Sequence, residues 1–67
     1  RGEPKVGIGR NTKVRGAIID KNARIGEDCT IGYDDSKRVD GDYPTHFVRD
    51  GIIIIPKNGI IPPGTVI

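Results

Sequence analysis

The 67-residue chain has no methionine, no tryptophan, one cysteine, one histidine and three aromatic residues (Tyr33, Tyr43, Phe47). One cysteine cannot close an internal disulfide, and one histidine with one cysteine makes a poor metal site, so neither common staple of a small domain is available. A lone core of this size supplies no more than about 3–5 kcal/mol. Without a staple or an initiator methionine, the chain reads as a segment of a longer protein whose open ends are covered by neighbours. The absence of a disulfide framework removes any argument for secretion. No signal-peptide pattern opens the chain, and its longest aliphatic run, Ile52 to Ile55, is far too short to cross a bilayer. The expectation is a cytoplasmic protein, or a plastid one in a plant, with no membrane partner.

Strong charge is lacking as well: the net value is +2. Basic residues dominate as far as Arg24, opposed only by Glu3 and Asp20, and the balance is acidic from Glu27 to Asp50. The basic portion holds no aromatic residue and no recognition element. A nucleic-acid partner is therefore not expected, and these side chains read as a solvated outer surface.

What the chain does have is a rhythm of six. Ile19-Asp20-Lys21-Asn22-Ala23-Arg24 is followed by Ile25-Gly26-Glu27-Asp28-Cys29-Thr30 and then Ile31-Gly32. The same phase occurs at Ile8-Gly9-Arg10-Asn11-Thr12-Lys13, at Ile55-Pro56-Lys57-Asn58-Gly59-Ile60 and at Ile61-Pro62-Pro63-Gly64-Thr65-Val66, with Ile67 next. Six fits neither a helix nor a simple alternating strand. It fits the hexapeptide repeat of a parallel β-helix. The first residue of each hexad (Ile8, Val14, Ile19, Ile25, Ile55, Ile61, Ile67) points inward, so that aliphatic side chains stack coil upon coil. The fifth (Thr12, Ala23, Cys29, Gly59, Thr65) also turns inward and must be small, which makes Cys29 a buried thiol. The fourth (Asn11, Asn22, Asp28, Asn58, Gly64) is of the types that adopt left-handed backbone angles most cheaply, so each hexad carries its own corner.

Two stretches depart from the rhythm. Val14-Arg15-Gly16-Ala17-Ile18 is one residue short, with Ile18 in the place that should be small; a tighter corner at Gly16-Ala17 absorbs the deletion. Tyr33 to Asp50 is charged and holds every aromatic residue together with His46. It reads as a loop projecting from one corner, where insertions least disturb stacking, with Phe47 and Val48 pairing or packing on the way back and Gly51 to Ile54 rejoining as a strand. Arg1 to Lys5 reads as a polar lead-in, and no α-helix is expected.

One hexad per face gives a geometric consequence. Ile8, Val14 and Ile19 open three faces, Ile25 and Ile31 the next two, and Ile55 the third face of the second coil, directly above Ile19. Lys21 and Lys57, each third in its hexad, are then neighbours across one strand spacing of about 4.8 Å. Two ammonium groups about 5 Å apart repel by about 0.8 kcal/mol in bulk water and about 3 kcal/mol at an effective dielectric of 20. A bridging anion removes that penalty.

The run Ala17-Ile18-Ile19-Asp20-Lys21-Asn22-Ala23-Arg24-Ile25-Gly26 resembles the C-terminal domain of ADP-glucose pyrophosphorylases (glucose-1-phosphate adenylyltransferases), and Asp50 to Ile67 resembles the end of the same enzymes. The resemblance implies an all-β, left-handed parallel β-helix of triangular coils over residues 1–67, interrupted by an excursion at about 33–50. It implies a parent nucleotidyltransferase that joins ATP and glucose 1-phosphate into ADP-glucose and pyrophosphate with Mg2+, in glycogen or starch synthesis. Catalysis then belongs to an N-terminal domain absent from this chain, leaving the β-helix non-catalytic, without a metal or cofactor of its own. The implied partners are that catalytic domain, sister subunits in a tetramer and a phosphorylated effector. The effector is implied at Lys21 and Lys57 with Asp20 adjacent. The excursion, with Asp42-Tyr43-Pro44-Thr45-His46, departs from the family's usual wording.

Two other classes of function remain open on the residues. In a hexapeptide acyltransferase, His46 would deprotonate an acceptor, with Asp40, Asp42 and Asp50 nearby. A structural assembly module would need only the open coil ends.

Overall fold

The computed structural model describes residues 5–67; the lead-in over residues 1–4 lies outside the described residues. The first coil contains β1 (Gly7–Ile8), β2 (Lys13–Val14) and β3 (Ala17–Ile19), and the second opens with β4 (Arg24–Ile25) and β5 (Thr30–Ile31). A 3-10 turn at Asp35–Lys37 and strands β6 (Gly41–Asp42) and β7 (Phe47–Arg49) form the excursion. Then come β8 (Ile52–Ile55) and β9 (Ile60–Ile61). The described residues contain no α-helix.

The strands pair as three walls of a prism. The first wall is β1-β4-β9, all parallel, with Ile8 opposite Ile25 and Ile25 opposite Ile61. The second is β2-β5, with Val14 opposite Ile31 and a further parallel bridge from Thr30 to Val66. The third sets β3 beside β8, with Ile19 opposite Ile55. The corners form where fourth positions predict them: Asn11, Asn22 and Asp28 each have φ of 59°, Asn58 has 62° and Gly64 has 76°. Asparagine and aspartate bear this conformation at less cost than other side chains, which is why they recur there.

Inside the prism, Ile25, Ile31, Ile55, Ile61 and Ile67 are buried, with Ala23 and Cys29 filling corners. Each fully buried aliphatic side chain contributes about 1.5–3 kcal/mol. The Cys29 thiol is enclosed, its Sγ 3.2 Å from the Pro62 carbonyl. Ile8 heads its column yet is 55% exposed, because no rung lies beneath it among the described residues. Second positions are small where rungs touch: a Cβ on Gly26 would lie 2.5 Å from the Pro63 nitrogen, and one on Gly9 would lie 2.6 Å from the Gly26 carbonyl carbon.

Two sequence-based expectations need correction. Ile18 does not take the inward small position. The tighter corner forms at Gly16, at φ 58°, where it was expected, but Ala17 rather than Ile18 then takes the small inward place opposite buried Ile53, and Ile18 points out at 56% exposure. Nor is the excursion a projecting loop. β7 lies antiparallel on β8, with Val48 opposite Ile53 and Phe47 opposite Ile54, and β6 pairs antiparallel with β7. The third coil has walls only at β9 and at Val66-Ile67; β7 supplies its third side, and Val48 is fully buried there.

Candidate functional site

The corner between the third and first walls carries the paired lysines. Past the Ile19–Ile55 pair, the Asp20 amide donates to the Ile55 carbonyl at 2.9 Å and the Asn58 amide donates to the Lys21 carbonyl at 3.0 Å. Lys21 and Lys57 therefore occupy the same place on successive rungs, each followed by an asparagine that turns the chain. Both are exposed, and neither ammonium joins an ion pair among the described residues. Asp20 is adjacent, but its carboxylate accepts the Lys21 backbone amide at 2.6 Å, closing the local turn. The structure thus brings Asp20, Lys21 and Lys57 to one edge.

His46 lies elsewhere on the prism, at 9% exposure, where β7 enters the third coil. Its ring stacks on Tyr43 with centroids 4.8 Å apart and planes 9° from parallel, and its Nδ1 lies 3.1 Å from Thr45 Oγ1. Burial pushes its pKa below the ordinary value, favouring neutral imidazole. The Tyr43 hydroxyl donates to the Val39 carbonyl. A cavity of about 290 Å³ separates this group from Val66 and Ile67. The carboxylates that could orient a catalytic histidine are engaged elsewhere: Asp40 accepts the Asp50 and Gly51 amides at 3.1 Å each, and Asp42 pairs with Arg49 at 2.6 Å. His46 is thus buried against Tyr43, with neither Asp40 nor Asp42 as its partner.

The family description "GLGC left-handed parallel beta-helix domain" matches residues 1–66. The chain belongs to this family. The winding of the GLGC β-helix domain is accordingly left-handed, and the triangular coils take their hand from the family. It is also 48% identical over 69 residues to the large subunit 1 of glucose-1-phosphate adenylyltransferase, chloroplastic/amyloplastic, of Zea mays. That alignment takes in 98% of this chain and 13% of the maize protein, so the chain spans about an eighth of the relative's length. No helix among the described residues is long and apolar enough to cross a membrane. Among the described residues no group of three or more His, Cys, Asp or Glu is placed to hold a metal ion.

In the GLGC β-helix domain one residue of the excursion has a role the hexad pattern did not reveal. Arg38 Nη1 donates to the carbonyls of Gly16 (3.0 Å) and Gly51 (2.6 Å), and Nη2 donates to those of Arg15 (2.7 Å) and Gly32 (2.8 Å). One guanidinium thus ties the corners of both coils to the start of β8. Gly16 and Gly32 leave its space: a Cβ on either would lie within 2.7 Å of Nη2. Glycine at both corners was the available signal, but only folding brings Arg38 back over them. Asp40 completes the fastening through the Asp50-Gly51 turn, and those amide bonds, Gly51 first, hold its carboxyl below the usual range.

Proposed function

We propose that the GLGC β-helix domain is the regulatory and assembly segment of a glucose-1-phosphate adenylyltransferase, making ADP-glucose from ATP and glucose 1-phosphate for glycogen or starch synthesis. Catalysis and its Mg2+ belong to the catalytic domain of that parent, against which this prism packs within a tetramer. The Lys21–Lys57 edge takes a phosphorylated small-molecule effector, with Asp20 setting the turn that presents the first lysine. The observation that supports the reading best is the register of β3 on β8, which stacks two exposed lysines that form no ion pair among the described residues. A phosphate bridging them converts mutual repulsion into two charge-assisted contacts. In the complete protein, Lys57→Ala should reduce the response to phosphorylated activators about tenfold or more while unactivated turnover stays within twofold, following the 1.5–3 kcal/mol of a charged hydrogen bond. Equal loss of basal and activated rates would count against it.

The assembly half has separate support. On the outer surface of the third wall, Ile18, Ile54 and Phe47 lie in line across β3, β8 and β7, beside exposed Ile52. An apolar stripe on an otherwise charged surface fits a packing contact. Ile18→Asp should shift the complete protein toward smaller species in sedimentation. An unchanged distribution would remove this stripe from the interface.

A further inference from the structure

The cavity of about 290 Å³ between the excursion and the last two residues of the prism has room for about ten water-sized groups. Val39, Val66 and Ile67 give it an aliphatic lining, and the stacked Tyr43 and His46 give it rings. Its polar lining comes from Ser36 and Lys37 of the 3-10 turn and from the imidazole. His46 is only 9% exposed, and its Nδ1 is taken by Thr45 Oγ1. Its Nε2 has no hydrogen-bond partner among the described residues, yet no buried side-chain nitrogen or oxygen is left without one. That nitrogen therefore opens onto accessible space, and the cavity is the space this ring lines.

The charges of the excursion leave one cation over. Arg38 and Arg49 have acidic partners in Asp35 and Asp42, and Asp35 also meets Arg15 at 2.9 Å. Lys37 joins no ion pair among the described residues. The carboxyl of Asp34 is held low first by the Ser36 hydroxyl, then by the Ser36 amide, and only last by the Lys37 charge. The Ser36 hydroxyl donates to Asp34 at 2.6 Å, so its oxygen remains an acceptor at the cavity rim.

We propose that this cavity binds a small monocarboxylate with an apolar body, its carboxylate at Lys37 and the His46 Nε2 proton, its body against Val39, Val66, Ile67 and the rings. A carboxylate there gains a charge-assisted contact and a neutral donor. A dianionic phosphate would bring a second charge towards the Ser36 oxygen and the Asp34 carboxylate with no second cation to meet it. A sugar would turn its hydroxyls to aliphatic walls that cannot bond them. The site is independent of the Lys21–Lys57 edge.

Saturation-transfer NMR titrations on the complete protein, with benzoate, its neutral isostere benzamide, acetate and inorganic phosphate as probes, provide the test. Benzoate should bind about tenfold more tightly than benzamide, as one charged hydrogen bond requires, and at least tenfold more tightly than acetate or phosphate, which lack the body. Lys37→Gln should bring benzoate down to the level of benzamide and leave benzamide within twofold; Lys37→Arg should keep the preference. Val66→Trp, filling the cavity from an exposed position, should weaken benzoate and benzamide alike by about tenfold or more. If Val66→Trp lowers the thermal midpoint, Val39→Trp, from another exposed lining position, takes its place. Lys57→Ala should leave benzoate within twofold. No saturable benzoate binding, equal affinity for benzoate and benzamide, or phosphate or acetate binding as tightly as benzoate would each overturn the proposal. So would benzoate binding within twofold of wild type in Lys37→Gln or in the tryptophan variant, or its loss in Lys57→Ala, which would move the site to the lysine edge.

Discussion

Replacing Arg38 by alanine should release the excursion from the prism while leaving the lower coils wound. The guanidinium donates to four carbonyls, but they do not weigh equally. The bonds to Gly16 and Arg15 are exposed, and water replaces them at little cost. Those to Gly32 and Gly51 are partly buried, and losing a charged donor from such a carbonyl costs about 1.5–3 kcal/mol. Counting only these two and allowing for their shared donor gives about 3 kcal/mol, roughly a hundredfold in a local opening equilibrium. Native-state amide exchange read by mass spectrometry should show that acceleration in peptides covering 33–51, with peptides covering 19–31 changed far less. Arg38→Lys has one ammonium in place of a planar fork and should recover only part of the protection. Exchange over 33–51 within threefold of wild type in Arg38→Ala would refute the clamp.

Gly26→Ala should cost about 3 kcal/mol, because the new Cβ would meet Pro63 backbone atoms at 2.5 and 2.7 Å and push rungs apart. Gly64→Ala, at φ 76° with nothing within 4 Å, should cost only about 1 kcal/mol of backbone strain; thermal melts giving the reverse order would contradict the stacking account. His46 provides a pH signature. Burial depresses its folded pKa below the ordinary 6.5, so the unfolded chain binds more protons and stability falls as pH drops below about 6.5 toward the folded value. His46→Gln should flatten that slope, whereas Asp34 and Asp40, whose pKa values are lowered from 3.8, act only in more acidic solution. An NMR titration placing the His46 midpoint at or above 6.5 would dispose of the burial argument.

The prism was legible because each hexad states its own geometry. Asn11, Asn22, Asp28 and Asn58 announce corners by backbone tolerance alone, and Ile19 over Ile55 follows from counting faces. The backbone placement of Lys21 beside Lys57 came from the same count. Where one residue was missing, the glycine marked the corner at Gly16, but counting gave the small inward place to Ile18, and burial of Ala17 against Ile53 shows that the phase resumes one residue earlier. The excursion was harder. Phe47-Val48-Arg49 has strand character, but its partner β8 could have been met from either direction, and the vacant side of the third coil exists only once the coils are stacked. Arg38 stayed hidden for the same reason: a charged residue in a charged segment has no marker until Gly16, Gly32 and Gly51 converge on it.

The reversed direction of β7 has a consequence for self-association. A prism whose top ended in three parallel rungs would offer its upper rim to the base of another molecule, inviting endless columns. Here one side of that rim ends in the two-residue strand β6, running Gly41–Asp42 and bearing a carboxylate already held by Arg49. So short and charged a border is a poor template for added strands.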